Sequence, residues 1–365
     1  MIPLTIPALG AEEIAACERV LRSGMLVQGK EVLAFEAELA RVGRRAYAVA
    51  VVNGTAALEL ALEALAIGPG DEVLCPALTW PSPAHAVRRV GATPVLVDVD
   101  PREWNATEQH FAEARSPRTR AAIVIEQFGN PARHDRIAQA LPGLPLIVDA
   151  ACSLGSSYRD APCGSHGIIA CTSFHPRKVL TTGEGGACLT DDGALAQRLR
   201  VLRNHGQLEP GNFVTAAGNE RMTELAAAIG QVQLAKLNRL CDERRRLVAE
   251  LRAQLPTLVL QEAPEGGREN RQTLGVLVGE PFAGSAARDR ALPEFAARGV
   301  QAGKLSYALH TLPQFTAEAE RAKQDGRTLE VAQDIAARGL CLPLFPGMRA
   351  EQLELVIQAI KDVIG

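Results

Sequence analysis

Along the first 190 residues of the chain, short apolar runs alternate with longer stretches whose apolar residues recur at helical spacing. YAVAVV, from Tyr47 to Val52, is apolar almost throughout and predicts a strand. The TAALELALEALAIG that follows repeats its apolar positions every three or four residues and stops at a glycine, as a helix does. The same pairing recurs in DEVLCP before PSPAHAVRRVG, TPVLVDVD before the segment around EQHFAEA, and RAAIVIEQ before PARHDRIAQAL. LPLIVDAA, GIIACTSF and ACLTDD predict further strands. Strands that are apolar on both faces, with helices between them, imply βαβ crossovers and a mostly parallel sheet. The expected fold class is therefore α/β, with the sheet sandwiched between two helical layers.

After Asn204 the pattern changes. RMTELAAAIGQVQLAKLNRLCDERRRLVAELRAQL predicts one long amphipathic helix across a domain boundary. A smaller α+β region follows, with strands at TLVLQ, RQTLGVLVG and LCLPLF and helices at RDRALPEFAARG and AEQLELVIQAIKDVI. EAPEGGREN reads as a loop or linker by composition. The expected division is a large domain over residues 1–235, including an N-terminal helical segment, and a small C-terminal domain over 236–365.

Length and composition narrow the class. A chain of 365 residues is long for one core and suits two domains. With 47% hydrophobic and 22% charged residues it has the make-up of a globular protein. The net charge of −3, without a basic block, argues against nucleic acid as a partner. No signal peptide and no membrane-spanning run is visible. Eight cysteines without C-x-x-C pairs suggest reduced thiols in a cytoplasm, with neither a disulfide framework nor a metal site. A cytoplasmic enzyme is expected.

SFHPRKVLTTGEGGACLT, from Ser173 to Thr190, concentrates the chemistry. A Walker loop places its lysine after the glycines, whereas Lys178 precedes Gly183, Gly185 and Gly186, so the order is wrong for that motif. In an open α/β sheet, ligands sit at the carboxyl ends of the strands. Four such ends carry suggestive residues. Asn53 and Gly54 turn into a helix start at Thr55, where free amides and a hydroxyl suit a phosphate; a plain Asn-Gly turn with Thr55 as N-cap reads the same. Trp80 follows DEVLCPAL and could stack on a flat ring or simply pack. Asp149 ends an apolar strand, where a carboxylate needs a cation or donors, or else caps the next turn. Ser173 ends another strand just before Lys178, which is either a solvated surface lysine or a Schiff-base former. Together they are a phosphate cradle, a ring stacker, a pyridinium partner and a reactive amine. This is the protein's side of pyridoxal 5′-phosphate (PLP) chemistry.

The sequence also resembles the DegT family of PLP-dependent nucleotide-sugar aminotransferases nearly end to end. The similarity is carried by LVQGKEVLAFEAELA, AVAVVNGTAALELAL, IGPGDEVLCPALTW, FGNPARHDRIA, IVDAACSLGS, TSFHPRKVLTTGEGGACLTDD, NERMTELAAAIGQVQL and LCLPLFPGM. The resemblance implies the fold type I aminotransferase architecture. It also implies a Schiff base on Lys178, with Asp149 at the pyridine nitrogen and Trp80 on the ring. Gly54, Thr55 and Ser173 would hold the phosphate, and Asn219 would reach it from the neighbouring subunit of a homodimer. His175 and His310 align with residues near the sugar. By analogy the substrates are small molecules: L-glutamate as donor and a nucleotide-linked keto-sugar, with SFHPRK and TTGEGG leaning toward a 4-keto deoxysugar.

The chain departs from the family at three places. Cys152, a weaker donor, stands where Gln or His usually meets the cofactor's 3′ oxygen. Glu220 replaces a common aromatic, and RQTLGVLV lacks the aromatics frequent in that strand. A cyclitol aminotransferase acting on an inosose would share the same catalytic set, and a PLP-holding sensor would keep the cofactor without turnover. A dehydratase of this fold has histidine for Lys178, and an oxidoreductase would need the absent G-x-G-x-x-G.

Overall fold

The computed structural model describes residues 1–364. Seven strands form the central sheet: β1 (Tyr47–Val51), β2 (Glu72–Pro76), β3 (Thr93–Val97), β4 (Thr119–Ile125), β5 (Leu146–Asp149), β6 (Ile169–Ser173) and β7 (Gly186–Thr190). Their order across the sheet is β1-β7-β6-β5-β4-β2-β3. Only β7 runs against its neighbours, β1 and β6; the other pairs are parallel. Each apolar run expected in this half is a strand, and the α/β class is the observed one.

Period-two alternation divides the strand residues between two faces. Val49 and Val51 pack with Ala57, Leu60 and Leu199 beneath helices Gly54–Ala64 and Gly193–Leu202. Ala48 and Ala50 point the other way, onto Phe35, Leu39, Phe174 and Leu237. Phe35 and Phe174 meet edge-on at 5.3 Å and are fully buried. Each such aromatic is worth about 1.5–3 kcal/mol of burial.

The long helix is Glu224–Gln254, 31 residues with Thr223 as its N-cap. Its first half contributes Leu234, Leu237 and Leu240 to the core under the large sheet. Its second half contributes Leu247, Val248 and Leu251 to a separate core, which also receives Ile2 from the chain's start. That second core lies on a four-stranded sheet, β8 (Val259–Leu260), β9 (Leu274–Leu277), β10 (Gly303–Lys304) and β11 (Gly339–Leu342), in the order β8-β9-β11-β10.

Two features differ from expectation. EAPEGGREN is no free linker: Gly267–Arg268 pairs with Ser157–Tyr158, and Asn270 is fully buried. Its glycine-rich composition serves close approach, since a methyl at Gly267 would meet the Pro264 carbonyl oxygen at 2.9 Å. Helices Thr316–Gln324 and Glu330–Arg338 were also not anticipated; each has only nine residues, and the first has no apolar residue larger than alanine. Among the described residues no helix is long and apolar enough to cross a membrane.

Candidate active site

Because β1, β2, β5 and β6 run in one direction, their carboxyl ends share one edge of the sheet, and the predicted residues that follow these strands lie along it. At the end of β1, Asn53 caps the following helix, its Oδ1 accepting the Ala56 N–H at 2.9 Å. The cap is thus Asn53 and not Thr55, whose Oγ1 is left to meet Ser82 Oγ at 2.9 Å. Gly54 faces the end of β6: a methyl there would lie 2.8 Å from Ser173 Cβ. Gly186, beginning β7, approaches the Asn53 carbonyl carbon so closely that a methyl would sit at 2.4 Å. A helix N-terminus ringed by Thr55, Ser82 and Ser173 hydroxyls is an anion cradle by dipole and by donors.

Beyond β2, the short strand Leu78–Thr79 pairs with Tyr307–Ala308. It presents Trp80, 61% exposed and edge-on to Tyr307 at 5.6 Å. Asp149, the last residue of β5, is buried, and its Oδ1 accepts the Ala151 N–H at 3.0 Å. Burial raises the pKa of this carboxyl above its ordinary value and the nearby Glu126 adds to the rise; the Ala151 N–H and Lys178 offset only part of it. A carboxylate so placed gains from a cation in contact with it.

Lys178 lies half-buried in the turn after β6, and its Nζ donates to Cys152 Sγ at 3.1 Å. The turn is wired in place. Lys178 N–H donates to the His175 carbonyl at 2.8 Å, Thr181 Oγ1 donates to the Phe174 carbonyl at 2.8 Å, and the Thr182 N–H joins that carbonyl at 3.0 Å. The glycine-rich segment is therefore no hinge.

His175 shares this turn, with Nδ1 accepting the Arg177 N–H at 3.2 Å. His310 sits on the rim beyond Tyr307, its Nε2 3.3 Å from Gln333 Oε1, and it makes no hydrogen bond to the Lys178 group. Burial lowers the pKa of both imidazoles. Asn219 is exposed beside Asn204, in the segment whose Glu220 carbonyl accepts the Val52 N–H past the end of β1.

Four contributors escaped the sequence. Ser82 and Tyr307 touch Thr55 and Trp80 as above. Asn270 Nδ2 donates to the Cys152 and Leu154 carbonyls at 2.8 and 2.9 Å, and Gln272 Nε2 donates to the Arg177 carbonyl at 2.6 Å. The strap after the long helix thereby pins both the Cys152 turn and the Lys178 turn. Such contacts join distant parts of the chain and leave no local pattern to read.

These residues fit PLP. The Gly54 cradle suits its phosphate, buried Asp149 suits a protonated ring nitrogen, and Lys178 suits its aldehyde. Among the described residues no cluster of His, Cys, Asp and Glu could hold a metal ion.

Comparison with known proteins agrees. DesV from S. venezuelae, solved with a ketimine intermediate, is 33% identical with a TM-score of 0.91, covering 99% of this chain and 98% of that one. The aminotransferase TlmJ from Streptoalloteichus hindustanus is 31% identical, at a TM-score of 0.89 with 99% and 98% coverage. Spr1654 from Streptococcus pneumoniae, named as a sugar aminotransferase, is 26% identical in its PLP form, at a TM-score of 0.92 over 99% and 98% of the two chains. The family model for DegT/DnrJ/EryC1/StrS aminotransferases matches residues 7–361, and the chain belongs to that PLP-dependent family.

Proposed function

We propose that this PLP-dependent sugar aminotransferase moves an amino group from L-glutamate to the keto carbon of a nucleotide-linked sugar, a 4-keto deoxysugar. The observation that carries the site assignment is the half-buried Lys178 amine against Cys152, on the same sheet edge as buried Asp149. PLP, when bound, supplies an aldehyde that condenses with amines and a ring that accepts an electron pair. Gly54, Thr55 and Ser173 would hold its phosphate, Trp80 would lie against its ring, and Asp149 would keep a proton on the ring nitrogen. Lys178 Nζ is the proton carrier: it takes the proton from the donor's α-carbon and returns it on the other side of the exchange. A positioned base of this kind contributes about 10²–10⁴-fold. Cys152 Sγ, at 3.1 Å, accepts a hydrogen bond from that amine when it is not bonded to the cofactor.

His175 and His310 are assigned to the sugar side; the pairing of Leu78–Thr79 with Tyr307–Ala308 supports this for His310, which it brings to the Trp80 rim. The working unit is a cytoplasmic homodimer in which Asn219 reaches the partner's phosphate. Exposed Ile14, Leu21, Met25, Leu26, Val27 and Leu33 on and between the first two helices favour such an interface. The division into a cofactor domain and a C-terminal domain is placed near residue 235, inside the helix that serves both cores.

The test is the absorption spectrum of the PLP-loaded protein before and after L-glutamate. Bleaching of the visible band, with borohydride fixing the cofactor on Lys178, supports the assignment. A band that glutamate leaves unchanged removes glutamate as donor, and an absent band removes the site. Turnover with an inosose and none with nucleotide-linked keto-sugars would favour the cyclitol alternative.

A further inference from the structure

Next to Asp149 in the sheet, just past the end of β4, lies a largely buried polar chain for which the mechanism above has no use. Glu126 follows the last residue of β4, and its neighbour Ile125 is in register with Asp149. The Glu126 side chain is fully buried, and its N–H donates to the Asp149 carbonyl at 3.1 Å. Its Oε1 lies 2.7 Å from His134 Nε2, and its Oε2 accepts from Ser153 Oγ. The buried Cys163 thiol lies beside it.

Farther back, the His134 ring stacks on His166 at 4.1 Å and 11°, with Tyr158 edge-on to both. Among the described residues neither His134 Nδ1 nor His166 Nε2 has a partner. Arg45 donates to the His166 carbonyl at 2.5 Å, and Asp135 accepts from Tyr158 at 2.7 Å. Despite burial, the bonds from His134, Cys163 and Ser153 hold the Glu126 carboxyl below its ordinary range, so it is an ionised acceptor. His134 Nε2 then carries the hydrogen between them.

A carboxylate in a water-free corner costs several kcal/mol unless it is paired. An apolar residue at this position would avoid that cost, and this one is hydrogen-bonded through its backbone to the residue whose carboxylate meets the cofactor. We propose that Glu126 is a positioning residue for Asp149: its negative charge, held by His134 and Ser153, helps keep the cofactor's ring nitrogen protonated. Like charge at short range raises the affinity of its neighbourhood for a proton, and little solvent is present to screen it. Ser153 also lies next to Cys152, so the same chain steadies the turn that faces Lys178. The proposal rests on Asp149 being the ring-nitrogen partner.

The experiment loads the enzyme with PLP labelled with 15N in the ring and follows the ring-nitrogen chemical shift with pH. Glu126→Gln keeps the shape and removes the charge; the ring nitrogen should lose its proton at least about one pH unit lower than in the unmodified enzyme, a tenfold change. Glu126→Asp should restore most of the difference. Should Glu126→Gln not fold, Glu126→Leu combined with His134→Leu replaces the whole pair with apolar side chains and should show the same displacement. An unchanged titration in a folded charge-removing variant overturns the proposal and leaves only a structural part for Glu126. Asp149→Asn separates the two levels. If it displaces the titration and Glu126→Gln does not, only the proposal falls; if neither does, the placement of Asp149 falls with it.

Discussion

Asp149 has two neighbourhoods of opposite construction. In front, toward Lys178, the groups are half-buried or exposed, come from four strand ends, and leave Trp80 open on the surface. Behind, Glu126, His134 and Ser153 are buried and bonded to one another, with only two imidazole nitrogens of this polar chain lacking a partner among the described residues. Under the proposed assignment substrates would enter and leave at the front, where the polar groups have few and exchangeable partners. The back never changes partners and can carry fixed charge. One carboxylate joins a mobile chemistry to a static field.

The largest effect should come from breaking the front. Lys178→Ala is expected to remove transamination, at least about 10⁴-fold, while the protein stays folded; measurable turnover in that variant would sink its assignment. Asp149→Ala should slow turnover by about 10²-fold or more. Its amide counterpart sharpens the contrast through stability. A carboxyl whose folded pKa lies above its unfolded value stabilises the fold at low pH and loses that contribution as pH rises through the folded pKa. Asp149→Asn should therefore raise the melting temperature of the cofactor-free protein at pH 7, with little change near pH 3, and lower it in the loaded protein. Melting curves of both forms at the two pH values check the sign.

Smaller effects follow from the cradle and from the far end of the back. Gly54→Ala places a methyl 2.8 Å from Ser173 Cβ. Overpacking of this kind costs about 1–3 kcal/mol, expected here as weaker PLP retention on dialysis. His166 is the mildest case. Burial and the adjacent His134 push its pKa down to about 4, so between its ordinary value of 6.5 and that value the unfolded chain binds the extra proton. Stability therefore falls as pH drops through that window. His166→Phe should flatten this part of the stability–pH curve; an unaltered slope would show that His166 is not what titrates.

The front was legible in the sequence because its residues end strands or follow them within a few positions, and strands announce themselves by apolar runs. Asp149 stood out as a carboxylate closing one such run. Glu126 closes RAAIVIEQ in the same manner, so the same criterion points to it once Asp149 has been placed. Its partners could not be read. His134 lies in a helix, and His166 and Cys163 lie in or beside turns, brought together only by the fold. Tyr307 and Asn270 were hidden for the same reason, since their contacts span more than a hundred residues. The strap was misjudged because glycine and charge look alike in a linker and in a close backbone crossing.

The helix Glu224–Gln254 has a mechanical consequence. At 31 residues it is a rod about 46 Å long, set in one core at one end and in another at the other. A rod anchored at both ends transmits displacement and does not absorb it. A hinge between the two halves of the chain would therefore have to bend or break this helix.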